Sequence, residues 1–124
     1  MRKRSSPTSS LRVAVLCGKG LGRKQLDSAA WRNIEAISCY EETFDGDPEQ
    51  AARWMNGSVK AILVTTDDFG QRVLPHLLRR TSLPIIVVGE GRSEGNVMCT
   101  GTCLPVRDIP DIVSKVISHR AQIR

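Results

Sequence analysis

No apolar run in this 124-residue chain approaches the roughly 20 residues that a bilayer-spanning helix needs. Its polar, basic start also lacks the apolar h-region of a secretion signal. Both absences point to a protein of the cytoplasm that no membrane engages. There is no G-x-x-x-x-G-K-[ST] loop and no recognisable pair of DNA-reading helices, which argues against a P-loop nucleotide engine and against direct contact with nucleic acid. Nor is there an internal repeat or a linker that would divide the chain. Histidine is scarce: His76 and His119 fall on helical stretches with no acid or nucleophile beside them, and solvated or capping roles account for both. Four cysteines could make two disulfides, but such bonds staple small secreted scaffolds whose cores are poor. This chain has apolar material for a core, so reduced thiols are expected.

What is present is ordinary for a globular domain: 40% apolar and 25% charged residues. A chain of this length folds as one domain and buries about two-thirds of the surface its unfolded form exposes. The net charge is +5, but Arg2, Lys3 and Arg4 supply three of the 18 basic residues, leaving 15 against 13 acidic ones. The body is therefore nearly neutral. Residues 1–10, rich in serine and carrying those three charges, read as a disordered basic tail, and residues 11–121 as the folded domain.

Within that domain, apolar runs alternate with helical patterns. Leu11 to Cys17 is a strand bounded by Gly18, Lys24 to Arg32 a first helix, and Ile34 to Tyr40 a second strand. Asp47-Pro48-Glu49 is a helix start, with Asp as N-cap, Pro at N1 and acid in the first turn; Ala51, Ala52, Trp54 and Met55 supply its packing face, and Asn56-Gly57 stops it. Val59 to Thr66 is a third strand. Asp67 or Asp68 caps a helix from Phe69 to about Arg80, in which Pro75 bends rather than breaks the run. Pro84 to Val88 is a fourth strand and Thr100 to Leu104 a short fifth, followed by a last helix from Asp108 or Pro110 with Ile112, Val113, Val116 and Ile117 along one stripe. Right-handed crossovers then give an α/β, flavodoxin-like, doubly wound parallel sheet of five strands in the order 2-1-3-4-5. The stretch Glu90-Gly-Arg-Ser-Glu-Gly-Asn96 carries little apolar periodicity, so the fourth helix of such a fold is expected to be short or missing.

This layout, from about Leu11 to Arg120, resembles the receiver (CheY-like) domain of response regulators. The resemblance implies a phosphorylation site built from an acidic pair ending the first strand, an aspartate ending the third, a hydroxyl ending the fourth, and a Lys-Pro ending the fifth. Those positions fall here on Cys17 and Gly18, on Thr65 or Thr66, on Gly89, and on Val106 with Arg107. None has the family's residue. Phosphoryl transfer needs a nucleophile, a metal and positive charge at the transition state, so the expectation is a degenerate receiver, not an enzyme, that takes neither metal nor cofactor. Leu83-Pro-Ile-Ile-Val-Val-Gly-Glu90 and the ending Val116-Ile-Ser-His-Arg-Ala-Gln-Ile-Arg124 are similar to the amino-terminal receivers of FleQ-type flagellar master activators, which are sigma-54-dependent. That likeness implies a regulatory module working through protein contacts, as a homodimer or against a downstream ATPase domain. The expected contact face comprises the fifth strand and final helix, with Val106, Arg107, Asp108, Asp111 and Lys115.

A rival reading starts at Cys17-Gly-Lys-Gly-Leu-Gly22, which resembles the phosphocysteine loop of the sugar-phosphotransferase IIB carriers. Turn amides would stabilise the thiolate of Cys17 and then its phosphate, with Lys19 and Arg23 adding charge. That family places hydroxyl residues after the glycines, where this chain has Arg23-Lys24-Gln25. The same glycines lack the G-x-G-x-x-G spacing of a dinucleotide loop with Glu41 or Glu42 as ribose ligand. Cys99-Thr-Gly-Thr-Cys103 has neither the spacing nor the histidines of a zinc site.

Overall fold

A computed structural model describes residues 11–29, 31, 33–55, 58–101 and 108–123, the last five by backbone alone. Five strands, β1 (Leu11–Cys17), β2 (Ile34–Tyr40), β3 (Ala61–Thr65), β4 (Ile85–Val88) and β5 (Val97–Cys99), form one sheet. The order is β2-β1-β3-β4-β5 and every pairing is parallel. Helices α1 (Leu21–Asp27), α2 (Pro48–Trp54), α3 (Asp68–Arg80) and α4 (Ile109–Ile123) complete the flavodoxin-like α/β fold.

Period-two alternation decides which residues meet which helices. Ala14, Leu16, Ile62, Val64, Ile85 and Val87 face α2 and α3, where Ala51, Ala52, Phe69, Val73 and Leu77 close over them. The intervening Val13, Val15, Ala61, Leu63, Ile86 and Val88 face α1 and α4, against Leu26, Ile109 and Val113. The central strand β3 is buried along its whole length, as a parallel strand covered on both faces must be. No helix of the described residues is long and apolar enough to cross a membrane.

Several boundaries differ from the sequence reading. Helix α1 begins at Leu21 and ends at Asp27, not over 24–32: Gly20 is extended, Arg23 N–H bonds its carbonyl at 3.1 Å, and Ser28 N–H closes the last turn on Lys24 at 3.0 Å. Strand β3 is shorter than 59–66 at both ends, although Val59 still reaches the core. A 3-10 turn at Glu41–Phe44, unmarked by any periodicity, delivers Phe44 into the core against Phe69 and Trp54. Asp47 caps α2 by accepting from Glu49 N–H at 3.0 Å, and α3 runs unbroken through Pro75.

The fifth strand is the main correction. It lies at Val97–Cys99, not at 100–104, of which 102–104 lie outside the described residues. Contacts far along the chain hold it there. Asn96 donates its amide to the Leu83 carbonyl at 2.7 Å and accepts from Ile85 N–H at 2.8 Å. Beyond the strand the chain turns, with Gly101 at φ 90°. Between β4 and β5 there is no helix; the segment folds back on β5 through an isolated antiparallel bridge between Glu94 and Val97.

Candidate functional site at the carboxyl edge of the sheet

Open α/β sheets do their chemistry beyond the carboxyl ends of the strands, at the point where the strand order reverses. Here that point lies between β1 and β3. A side chain of the protein itself, that of Asp67, reaches across it.

Asp67, two residues past β3, accepts three hydrogen bonds. Oδ1 takes the Thr65 hydroxyl at 2.9 Å and Gly70 N–H at 3.1 Å, and Oδ2 takes Gly20 N–H at 2.9 Å. Thr65 Oγ1 in turn accepts from Gly18 N–H at 2.9 Å. The capping role expected of Asp67 is met through Gly70, at the start of α3. Its bond to Gly20 adds something the sequence did not disclose, because it ties the β1–α1 turn to the β3–α3 turn across 47 positions of chain. Asp68 takes no part and pairs with Arg72 one turn on, at 3.1 Å.

The packing is close enough to dictate glycine. A Cβ on Gly18 would run into the Asp67 carboxylate, and one on Gly70 into the Thr65 carbonyl oxygen. The glycines that resemble a phosphate loop therefore make room for a carboxylate. Thr65 is the buried polar residue of the described chain, at 1% exposure, and its hydroxyl both donates and accepts. A buried hydroxyl with both capacities used has no unmet demand for a ligand.

Cys17 ends β1 with no exposure at all. Burial first, and then the negative charge of Asp27, pushes its thiol up to about 12. At neutral pH it is protonated, whereas a phosphocysteine carrier needs an accessible thiolate. Of the cations expected to help it, Lys19 is exposed. Arg23 bonds Glu42 at 3.0 Å, which raises its own pKa, and lies 4.0 Å over the Tyr40 ring. The Tyr40 hydroxyl donates to Asp27 at 3.1 Å, and that bond raises its pKa too. Glu41 lies 3.8 Å from Arg72, so both glutamates proposed as ribose ligands are engaged with arginines.

The remaining sequence-derived positions separate. Thr66 is half-buried, and its hydroxyl donates to the Val88 carbonyl at 3.3 Å. Gly89 N–H donates to the Thr100 hydroxyl at 3.0 Å. Cysteines 17, 39 and 99 are free thiols, and Cys99 is half-buried in β5. It borders a cleft of about 180 Å³ that opens between α3 and the segment replacing the fourth helix. Val106, Arg107 and Cys103 lie outside the described residues. The carry-over to Val106 depended on a fifth strand at 100–104; with β5 ending at Cys99, the residue leaving the strand is Thr100. On α4, Asp111 and Lys115 are exposed, Asp108 just before it is half-buried, and Ile109 and Val113 are buried beneath them. The side chain of His119 is not described, and among the described residues no group of three or more His, Cys, Asp or Glu side chains could hold a metal.

The chain matches no protein-family model, no curated protein and no solved structure. Function is therefore read from the fold, from this site and from the sequence resemblance.

Proposed function

We propose that this chain is a receiver-like regulatory domain without phosphoryl chemistry, which acts through protein contacts within a sigma-54-dependent transcriptional activator of the FleQ type. One observation carries the reading. At the crevice where this fold places its chemistry, Asp67 bridges the β1–α1 and β3–α3 turns and accepts hydrogen bonds from Gly20, Gly70 and Thr65. A receiver's Mg²⁺ site needs acidic oxygens at the end of β1, where this chain has Cys17 and Gly18. The buried, protonated state of Cys17 removes the support for a phosphocysteine carrier.

A domain without a chemical switch transmits information by contact, through equilibria that depend on partner or concentration. The exposed side of α4, with Asp111 and Lys115 of opposite sign, suits a charge-complementary docking face for another part of the regulator, such as a downstream ATPase domain. Incubation with acetyl phosphate and Mg²⁺ followed by intact-mass measurement tests the first half of the reading. The expected mass is that of the untreated chain, and a stoichiometric phosphoryl adduct would overturn the proposal.

A further inference from the structure

The two edges of the sheet are treated differently. At the β5 edge, Glu94 and Val97 exchange two backbone hydrogen bonds of 2.9 Å, and the Ser93 hydroxyl accepts from Cys99 N–H at 3.0 Å. The chain seals that edge itself. At the opposite edge, the seven residues of β2 make no backbone hydrogen bond, among the described residues, other than their ladder to β1. Natural sheets blunt such edges with lysine, proline, bulges or a covering segment. β2 has no lysine and no proline, and its single charge, Glu35, is paired with Arg12 at 3.0 Å.

The aromatic residues point to the same place. The sequence holds two tryptophans and one tyrosine, and all three gather at this edge. Trp31 and Tyr40 are half-buried with Ala36 on the face shared with α1. Trp54 is half-buried on the other face, where it and Ile37 line one apolar cavity of about 60 Å³. Tryptophan and tyrosine are enriched in the energetic centres of interfaces, because they bury much area at little entropic cost.

We propose that the open edge of β2 is the contact between two copies of this chain, with the two strands antiparallel about a twofold axis at Ile37. The proposal rests on the reading that the domain acts through protein contacts. It assigns the like-with-like contact to β2 and leaves α4 for a different partner. The strand is self-complementary in this register: Ile34 falls opposite Tyr40, Glu35 opposite Cys39, Ala36 opposite Ser38, and Ile37 opposite itself. Each pair keeps to one face, because the register preserves the period of two. An aliphatic residue meets an aromatic at both ends, and no like charges stand opposite one another.

Sedimentation equilibrium of the full chain with its Ser38→Lys and Ser38→Glu variants, together with amide exchange over residues 35–39, tests this. Ser38 is exposed, so both variants keep the fold, which their circular dichroism verifies. The two copies of residue 38 sit diagonally across the axis. Each variant alone is expected to weaken the dimer by about twofold to fivefold, an equimolar mixture of the two is expected to restore it, and β2 amides are expected to exchange more slowly as concentration rises. A strict monomer overturns the proposal. So does a dimer that ignores Ser38, leaves the β2 amides unprotected and dissociates on Asp111→Lys, although that result would leave the contact-based function standing.

Discussion

The Asp67 carboxylate occupies the space that a side chain on Gly18 would require. The two residues lie on different crossover units, yet one fixes the identity of the other. This relationship predicts thermodynamic coupling. Gly18→Ala is expected to cost about 1–3 kcal/mol, as overpacking of a close contact does. In an Asp67→Ala background the same change should cost at least about 1 kcal/mol less, because the clash is gone. Urea unfolding of the four members of the cycle measures this, and strict additivity would mean that the two residues do not meet.

Thr65 predicts an asymmetry between neighbours. Thr65→Val is isosteric but leaves Gly18 N–H without its acceptor and Asp67 without one donor, at an expected cost of about 1–3 kcal/mol. Thr66→Val removes a longer, half-buried bond to Val88, with an expected cost of about 0.5–1 kcal/mol. Equal losses for the two would contradict the placement of Thr65 at the centre of the crevice.

Cys17 predicts a pH dependence whose sign follows from its raised pKa. Below the ordinary thiol value of 9.0 the thiol is neutral in both the folded and the unfolded chain, and its contribution is whole. Between 9.0 and about 12 the unfolded chain ionises and the folded one does not, so this residue makes stability fall by about 1.4 kcal/mol per pH unit. Cys17→Ala should flatten that alkaline decline relative to the wild type in denaturant titrations from pH 8 to about 11. An unchanged slope would place the thiol in contact with solvent.

Much of the fold is legible in the sequence where the deciding signals are local. Strands β1 and β2 are bounded to the residue, because unbroken apolar or alternating patterns meet Gly18 on one side and Asn33 on the other. Helix α2 announces itself by the cap, proline and acid of Asp47-Pro48-Glu49, all within one turn. Strand β5 fails for the opposite reason. Three residues are too few to show a period, and what fixes them is the bond of Cys99 N–H to the Ser93 hydroxyl and, just before the strand, the bond of the Asn96 amide to the Leu83 carbonyl. The site shows the same division. Asp67 as a helix cap is visible from its place before Phe69, whereas its hold on Gly20 depends on a crossover that brings residues 47 positions apart into contact. Read locally, the glycines from Gly18 to Gly22 suggested a loop awaiting a phosphate; in the fold, Asp67 already holds the Gly20 amide.

The central proposal is that the crevice at the end of β1 and β3, bridged by Asp67, performs no phosphoryl chemistry. A two-dimensional amide NMR titration with beryllofluoride and Mg²⁺ tests it most directly, because the fluoride complex reports a working acyl-phosphate site without turnover. The resonances of Gly18, Gly20, Thr65, Thr66 and Gly70 are expected to stay in place through the whole titration. Saturable shifts centred on these residues would show that Asp67 gives way to a ligand, and would contradict the account.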